Sequence, residues 1–498
     1  MKLNAKQIAG ICGGTIIVEP IDSRALASGL TWDSRDVQAG DVYVAIPGER
    51  VDGHTFVRAA IAAGAVCALT MHPLDENTLT FAREMGAAVV EVANTSTAVV
   101  DLARAWRGYL KGTVIGVTGS VGKTTTKNLV RDVLMAGFGE ENVIATKGNQ
   151  NNELGVPRTI LRADPTTPYV VVEMGIQVPG EMTWLCGFTK PDMGVITLVG
   201  NSHIEFMHSR ENITRAKAEL YAGIRPGGMA FVNAADEFAN LMCEESGLAA
   251  RNVRVSAFDG SGKSLVRDGF ARCASTPDGT VRVWAEDMEI GEEGCPRFTL
   301  CIARNGMDDA PQTAPCVLAL RGMHNVSNAC AAAAVGAVFG MSADAIAAAL
   351  ASSVPEAGRQ EIVRARGGYT IVNDAYNASP ESMRASLAMF SRMACKGRRY
   401  AVLGDMGELG EFAVPCHEGI GRLLPQLPID CTFCIGELAA HIADAALEAG
   451  ANPESVLKVR SISKVLGELD IRLAPDDCVL VKASHAMGLA RVVEGLKA

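Results

Sequence analysis

Short apolar runs alternate with longer segments of helical period along the middle of the chain. Each run is apolar and rich in β-branched residues, which is typical of a strand buried on both faces of a parallel sheet. The segments between the runs contain helical stretches, so the alternation predicts parallel strands joined by right-handed crossovers. The predicted central strands are residues 114–118, 169–173, 193–197 and 229–233.

The same alternation returns after residues 352–361, a segment with Pro and Gly that is typical of a linker. Ser379 is a good N-cap and Pro380 suits the first position of the helix that follows. That helix is predicted to bury one face, made by Met383, Leu387, Phe390 and Met393. This pattern predicts a second doubly wound α/β domain, with strands at residues 369–373, 400–404, 431–435 and 478–482.

Two further regions complete the predicted fold. Residues 1–108 mix short strands and helices: residues 33–48 suggest two extended stretches around a Gly-Asp turn, and residues 59–68 an Ala-rich helix. Residues 262–321 predict an antiparallel decoration with strands at 281–284, 298–302 and 317–320. The expected fold class is therefore α/β, with three domains at residues 1–108, 109–351 and 352–498.

Composition narrows the function classes. The chain has 498 residues, which fits two to four domains, and 46 basic against 56 acidic side chains give a net charge of −10. This charge argues against non-specific nucleic-acid binding and against an anionic membrane surface. The longest apolar runs have 13 residues, whereas a membrane span needs about 20, and the N-terminus lacks the apolar core of a secretory signal.

The chain contains 14 scattered cysteines, which suggests thiols in a reducing compartment and a cytoplasmic location. Cys431 and Cys434 form the only Cys-x-x-Cys spacing. They lie in a predicted buried strand, so core thiols are favoured over a zinc or redox site.

Residues 116–126, GVTGSVGKTTT, follow an apolar strand and open a helix. Gly119 and Gly122 allow a tight turn that brings backbone N–H groups close to phosphate oxygens. Lys123 would lie near the terminal phosphates, and the Thr124 hydroxyl would face Mg²⁺. Val117 stands where the strict phosphate-loop pattern has Gly. The alternative is a Gly-rich strand-to-helix turn with a chance lysine.

Polar residues follow several predicted strands. Glu173 ends one, where ligands of parallel sheets bind, and could hold Mg²⁺. His203 lies in the loop after the next strand and Lys217 on a following helix; a loop histidine and a surface lysine are the plain alternatives. Asn325 and Asn328 either cap a helix or face a nucleotide base.

In the third region Asp374, Tyr376 and Asn377 follow a strand. The carboxylate could bind ribose hydroxyls and the amide could read an adenine edge. The alternative is an Asp/Asn turn that caps the next helix. The strings GDMGELG (404–410) and VKASHAMG (481–488) end two more strands, which suggests a second edge that faces a ligand.

The chain resembles the Mur ligases in the order and spacing of these strings and of four others: DSR…GDVYVAIPGERVDGHTF, NNELGVP, HIE…AKAEL and GMHNVSNA. Those enzymes are the ATP-dependent amide ligases of peptidoglycan precursor synthesis, and the resemblance covers essentially the whole chain. TGS and NNELGVP favour the MurF type, which adds D-alanyl-D-alanine to a UDP-N-acetylmuramoyl tripeptide through an acyl phosphate. The resemblance implies an N-terminal UDP-binding domain, a central ATP-binding domain and a C-terminal Rossmann-like ligase domain.

The resemblance also implies roles for individual residues. ATP phosphates would be bound by Gly119, Ser120, Gly122, Lys123, Thr124 and Thr125, and by Arg359 on closure. Two Mg²⁺ ions would be held by Thr124, Glu173, His203 and a carbamylated Lys217. Asn325 and Asn328 would lie near adenine, and Asp374 near ribose. The muramyl-peptide substrate would face Asn151, Asn152 and Glu153, and its uridine end Ser34 and Arg35, with Asp52, Gly53 and His54 nearby. The amino substrate would face Tyr376, Asn377, Lys482 and Ser484.

Two positions depart from the family pattern. His485 stands where these ligases usually have Arg, and Gln150 where Tyr or Phe is commoner, which affects the expected dipeptide selectivity. The third residue of the tripeptide stays open, and a monomer is expected. Alternatives are a sister ligase that adds a diamino acid or glutamate, a folate polyglutamate ligase, and a nucleotide-gated binding module.

Overall fold

A computed structural model describes residues 1–48, 51–267, 279–291, 293–304 and 310–497. The chain is α/β and its strands form three sheets, each built from one continuous stretch of sequence. The first sheet contains β1 (Thr15–Val18), β2 (Gly29–Thr31), β3 (Asp41–Val44), β4 (Cys67–Thr70) and β5 (Ala88–Glu91). Its order is β1-β5-β4-β3-β2, and all neighbours are parallel except β1 and β5.

The second sheet has nine strands in the order β14-β13-β12-β11-β10-β9-β6-β8-β7. The strands from β7 to β12 pair in parallel, and β12, β13 and β14 are antiparallel. Their bounds are β6 (Thr113–Thr118), β7 (Val143–Ala145), β8 (Tyr169–Glu173), β9 (Met193–Ile196), β10 (Met229–Asn233), β11 (Arg254–Asp259), β12 (Val281–Ile290), β13 (Pro296–Arg304) and β14 (Gln312–Val317).

The third sheet has six strands in the order β15-β16-β20-β17-β18-β19, parallel except for β15. Its strands are β15 (Glu361–Arg364), β16 (Thr370–Asp374), β17 (Arg399–Gly404), β18 (Cys431–Ile435), β19 (Val456–Val459) and β20 (Cys478–Lys482).

Seventeen α-helices pack against these sheets within the described residues. They are α1 (Ala5–Cys12), α2 (Val57–Ala62), α3 (Glu76–Met85), α4 (Thr95–Arg107), α5 (Lys123–Phe138), α6 (Gly155–Arg162), α7 (Glu181–Thr189), α8 (Ile204–Met207), α9 (Arg210–Gly223), α10 (Ala239–Glu245), α11 (His324–Val338), α12 (Ala343–Ser352), α13 (Pro380–Arg392), α14 (Ala413–Gly421), α15 (Ala439–Glu448), α16 (Ile462–Arg472) and α17 (Ala490–Lys497). None of the described helices is long and apolar enough to cross a membrane.

Two sequence predictions about strands were wrong. The predicted antiparallel pairing is confirmed for β12, β13 and β14, but these strands are not a decoration, because β12 pairs in parallel with β11 and so extends the central sheet. Its last strand is Gln312–Val317, not residues 317–320. Only Ala314 and Cys316 are buried in that strand, so its hydrophobic signal is weaker than that of the residues after it.

In the first region, residues 33–39 form no strand, and only β3 is extended after the Gly-Asp turn. The Asp33 carboxylate accepts the backbone N–H of Arg35 at 3.0 Å. Such a local side-chain bond competes with strand pairing.

The predicted start of α13 is confirmed. The Ser379 side chain accepts the N–H of Ser382, and Pro380 is the first helical residue. In β18, Cys431 and Cys434 are buried on opposite faces of the sheet, packed in different apolar clusters. Residues three apart in a strand point to opposite faces, so these two thiols cannot share one metal site.

The cleft lies between the second and third sheets, and its lining, as the described residues define it, contains no residue of the first sheet. Helix α4 fixes the first sheet to the central one, because Trp106 Nε1 donates to Ala163 O at 2.8 Å and Arg107 Nε donates to Thr189 O at 2.7 Å. The C-terminal region contacts the central one at α5, where Asn128 Nδ2 donates to Glu356 Oε2 at 2.8 Å. The carboxyl ends of β6, β8 and β9 open into the space between them.

Candidate functional site

The phosphate loop connects β6 to α5, and its shape depends on two glycines. Gly119 has φ 149° and Gly122 has φ 87°, both in the region that favours glycine. A Cβ atom at Gly119 would lie 1.8 Å from Thr197 Oγ1, and one at Gly122 would lie 2.5 Å from Asn328 Oδ1. The loop therefore needs glycine at both places, and its backbone N–H groups lead into the N-terminus of α5.

Lys123 folds back over this loop. Its Nζ donates to Gly119 O at 2.8 Å and to Ser120 O at 3.3 Å. Burial lowers the pKa of the Lys123 amine, with Glu173 acting in the opposite direction. An anion bound at the loop would give the Lys123 amine a negatively charged partner.

Glu173, the last residue of β8, is only 1% exposed. Its Oε1 accepts from Thr124 Oγ1 at 2.9 Å and from Asn151 Nδ2 at 2.7 Å. Its Oε2 is buried and has no hydrogen-bond partner among the described residues. A buried carboxylate oxygen without a partner is costly unless a cation completes it, so the donor set of Thr124, Glu173 and His203 fits Mg²⁺.

Lys217 lies on α9 and is 2% exposed, which is unusual for a lysine on a helix. Burial lowers its pKa well below the ordinary value, and the charge of Lys123 lowers it further. Among the charges described here, no carboxylate offsets these two effects. Burial therefore favours the neutral, nucleophilic form of this amine.

His203 precedes the short helix α8 and has φ 64°. Its Nδ1 lies 2.5 Å from Glu408 Oε2, a close contact that does not have the geometry of a hydrogen bond. Contact with His203 lowers the pKa of the Glu408 carboxyl. The third sheet thus contributes a carboxylate to the edge of the candidate metal site.

Arg359, just before β15, reaches the same place. Its Nη2 donates to Thr124 Oγ1 at 3.0 Å, and its guanidinium carbon lies 4.3 Å from the centre of the Tyr376 ring. The arginine therefore connects the phosphate loop to the loop after β16, on the two sides of the cleft.

Asn325 and Asn328 lie in the first turns of α11, and both are buried. Asn328 Nδ2 donates to Asn325 Oδ1 at 2.8 Å, and Asn328 Oδ1 accepts from Thr126 Oγ1 at 3.1 Å. Asn325 Nδ2 donates to Arg321 O at 2.6 Å. Their side chains link α11 to the phosphate-loop helix α5, beyond simple helix capping.

Asp374 and Lys482 end the neighbouring strands β16 and β20 and form a buried pair. Lys482 Nζ lies 2.7 Å from Asp374 Oδ2 and also donates to Asn377 O at 3.0 Å. Ser386 Oγ donates to the same Asp374 oxygen, and the Gln360 N–H donates to Oδ1 at 3.3 Å. Both residues are satisfied without a ligand.

The cleft has a volume of about 800 Å³. It is lined by seventeen of the residues predicted from sequence: Ser120, Gly122, Lys123, Thr124, Thr125, Asn151, Asn152, Glu153, Glu173, His203, Asn325, Asn328, Arg359, Asp374, Tyr376, Asn377 and Lys482. Five other predicted residues, Ser34, Arg35, Gly119, Lys217 and Ser484, are not in that lining as the described residues define it. Gly119 O accepts from Lys123 Nζ, and the charge of Lys123 acts on the buried Lys217.

Comparison with known proteins decides the family. The family models for the Mur ligase middle domain, the Mur ligase glutamate ligase domain and the Mur ligase family catalytic domain match residues 117–336, 358–485 and 27–107. A protein of Mycobacterium tuberculosis named UDP-N-acetylmuramoyl-tripeptide--D-alanyl-D-alanine ligase is 36% identical, over 100% of this chain and 98% of its own. The chain belongs to the Mur ligase family. A Bacillus subtilis protein with the same name is 32% identical over 100% and 98% of the two chains.

Solved structures of Mur ligases agree with this fold. The crystal structure of MurF from Acinetobacter baumannii has a TM-score of 0.79 at 27% identity, and covers 100% of this chain and 99% of its own. MurF ligase from Thermotoga maritima in complex with ADP has a TM-score of 0.71 at 28% identity, with 95% and 97% covered. The three-domain α/β architecture expected from sequence is confirmed.

The cleft of this Mur ligase also contains residues that the sequence did not single out. Gln177, Glu181 and Trp184 line it after β8, and Arg321, His324 and Glu356 line it opposite. The His324 side chain is exposed to the cleft. Glu356 belongs to the segment predicted as a linker, whose residues carried no sequence signal beyond Pro and Gly.

Proposed function

We propose that this Mur ligase joins D-alanyl-D-alanine to the terminal carboxylate of a UDP-N-acetylmuramoyl tripeptide. The reaction uses ATP and yields ADP, phosphate and the UDP-N-acetylmuramoyl pentapeptide. The observation that supports it most strongly is one cleft that combines a phosphate loop with a buried carboxylate oxygen that has no partner among the described residues, next to the buried Lys217, whose pKa is lowered by burial. The relatives named for this reaction match the chain over nearly its full length.

The first step is attack of the tripeptide carboxylate on the γ-phosphate of ATP, which forms an acyl phosphate and releases ADP. Two anions must approach each other, so the site mainly has to neutralise charge and fix position. The phosphate-loop N–H groups and Lys123 would bind the β- and γ-phosphates, and Arg359 would add a second cation. The amine of the dipeptide then attacks the acyl carbon, and phosphate leaves through a tetrahedral intermediate.

Magnesium, when bound, would neutralise phosphate charge and orient the transferred group. Thr124, Glu173 and His203 would hold it, together with Lys217 as a carbamate. A neutral amine adds to CO₂ and releases one proton, which turns the Lys217 nitrogen into a carbamate that bears a negative charge. Its low pKa supports this, because an ammonium group cannot react and would repel the cation.

The residues that contact each part of the substrates are assigned by resemblance. The proposed domain limits are 1–108, 109–351 and 352–498. Adenine would face Asn325 and Asn328, and ribose Asp374. The muramyl peptide would face Asn151, Asn152 and Glu153, and uridine Ser34 and Arg35 on the N-terminal domain. The dipeptide would face Tyr376, Asn377, Lys482 and Ser484. The monomeric state and cytoplasmic location stay predictions.

Closure of the C-terminal domain would exclude water, which would otherwise hydrolyse the acyl phosphate. Two contacts favour that view: Arg359 with Thr124 at 3.0 Å and Glu356 with Asn128 at 2.8 Å. Both connect the C-terminal domain to α5, directly beside the phosphate loop.

The test is phosphate release from ATP and Mg²⁺ with UDP-N-acetylmuramoyl tripeptide, with and without D-alanyl-D-alanine. Release that needs both substrates, with the pentapeptide identified by mass spectrometry, is the expected result. Release with a diamino acid or glutamate but not with the dipeptide would move the chain to a sister ligase. A folded protein that binds ATP without substrate-dependent release would instead be a nucleotide-gated binding module.

A further inference from the structure

Glu408 reaches from the C-terminal domain to two loops of the central domain. Its Oε2 lies 2.5 Å from His203 Nδ1, in the loop after β9. Its Oε1 accepts from Gln177 Nε2 at 3.3 Å, in the loop after β8. One carboxylate therefore bridges the two loops that follow the strands on either side of β6.

The backbone supports the same contact. Glu408 O accepts the N–H of Glu205 at 3.3 Å. His203 has φ 64° and Glu408 has φ 60°, a left-handed backbone conformation that residues other than glycine seldom adopt. Such conformations persist where the surrounding structure fixes them, and they concentrate at functional sites.

The surroundings leave little room for another arrangement. A Cβ atom at Gly410 would lie 3.1 Å from Glu205 Cγ, so the two loops are in close contact. A second carboxylate from the C-terminal domain, Glu381, accepts the N–H of Asn201 at 2.9 Å. The loop that contains His203 is thus attached to the C-terminal domain at two separate points.

We propose that Glu408 is a positioning residue that orients the His203 imidazole for metal binding and so couples the metal site to closure of the C-terminal domain. This inference rests on the proposed function, in which His203 is a metal ligand. The Glu408 carboxylate, 2.5 Å from Nδ1, restricts the orientation of the ring and leaves Nε2 for the metal. Since Glu408 belongs to the other domain, that orientation exists only when the domains are in contact, and metal binding must in turn favour closure.

The test measures metal binding directly, with Mn²⁺ in the presence of ADP and electron paramagnetic resonance to count free Mn²⁺. Loss of an outer carboxylate partner typically weakens metal affinity by about 10-fold or more. Glu408→Ala is therefore expected to raise the Mn²⁺ dissociation constant by about 10-fold, and Glu408→Gln, which keeps an acceptor oxygen, by less. Glu411→Ala removes an exposed carboxylate from the same loop and should leave it unchanged.

A double-mutant cycle separates positioning from a general structural effect. In a His203→Ala background, Glu408→Ala should change Mn²⁺ affinity no further, because the residue through which it acts is absent. The inference is overturned if the double variant has a Mn²⁺ dissociation constant raised by the product of the two single effects. It is also overturned if Glu408→Ala binds Mn²⁺ like the wild type.

Turnover completes the test. For Glu408→Ala, the Mg²⁺ concentration at half-maximal rate should rise by about 10-fold, with most of kcat recovered at saturating Mg²⁺. A loss of kcat that Mg²⁺ does not restore would contradict a positioning role. If the wild type forms no pentapeptide, the proposed function fails; if it does and the Glu408 variants match it, only this inference fails.

Discussion

Glu173 and Asp374 occupy corresponding places, each at the carboxyl end of a strand in a mainly parallel sheet beside the cleft. Asp374 is paired with Lys482 at 2.7 Å and accepts further hydrogen bonds from Ser386 and Gln360. Glu173 keeps one buried oxygen without a partner among the described residues, and the central domain also contains Lys123 and Lys217, whose pKa values are lowered by burial.

The difference between Glu173 and Asp374 indicates different roles for the two strand ends. A buried oxygen without a partner and a buried amine whose pKa is lowered both reduce stability, so they are expected where a ligand completes them. A complete ion-pair network needs no ligand and fixes the loops around it. The carboxyl ends of the central strands, where Glu173 lies, are therefore interpreted as the site of charge neutralisation, and we call them the central edge. The carboxyl ends of the strands in the third sheet, where Asp374 and Lys482 lie, are called the third edge and are interpreted as a rigid wall that presents Tyr376 and Asn377.

The largest effect is expected for Lys217→Met, which keeps the apolar stem and removes the amine. Without a carbamate, turnover should fall by about 10³-fold. The free energy of unfolding should not fall, because a buried amine is removed from an apolar setting. Phosphate release and urea unfolding test both parts, and ¹³CO₂ labelling should give a carbamate signal in the wild type that the variant lacks.

Lys127→Met is the matched control. This lysine is also buried, but its Nζ donates to Thr146 O at 2.8 Å and Gly148 O at 3.2 Å. Removing the amine leaves these carbonyl groups without that donor, so the variant should lose about 1–3 kcal/mol of stability. If Lys217→Met is destabilised as much as Lys127→Met, the interpretation of Lys217 as an uncompensated amine is wrong.

The next effect concerns the third edge. Lys482→Met leaves Asp374 as a buried carboxylate without its cation, which should cost about 3–5 kcal/mol in urea unfolding. Asp374→Asn combined with Lys482→Met should recover most of that loss, because no buried charge remains. A double variant as unstable as the single one would show that the pair is not the reason for the effect.

A smaller effect is expected for Glu173→Gln at the central edge. The glutamine can still accept from Thr124, but it removes the charge that a cation requires. Turnover at fixed Mg²⁺ should fall by about 10²-fold, whereas stability should be unchanged or higher. If the turnover of folded Glu173→Gln depends on Mg²⁺ concentration as that of the wild type does, the assignment of Glu173 to the metal is contradicted.

The strands were predictable because they are continuously buried. Residues 169–173, 229–233, 431–435 and 478–482 match β8, β10, β18 and β20 to the residue. The edge strand β14 was misplaced, because its alternating exposure weakens the apolar signal. Local chemistry was equally readable at α13, where Ser379 and Pro380 define the start.

The site was predictable only where a motif is local. Lys217 on its own suggested a surface helix charge, and its burial follows from packing that no local pattern contains. Glu408 lies within the GDMGELG string, but its contact with His203 joins residues from two domains. Trp184 and Gln177 follow the strand of Glu173 without any recognisable spacing.

The smallest effect tests whether the third edge depends on neutral hydrogen bonds. His417 is fully buried, and its Nε2 accepts the N–H of Met406 at 2.9 Å, directly after β17. Burial lowers its pKa from the ordinary 6.5, so the folded state keeps it neutral while the unfolded state takes up a proton below pH 6.5. Its stabilising contribution is therefore complete above pH 6.5 and declines as the pH falls below it. The difference in unfolding free energy between wild type and His417→Gln should shrink from pH 8 to pH 5; a constant difference would show that protonation of His417 does not disturb this edge.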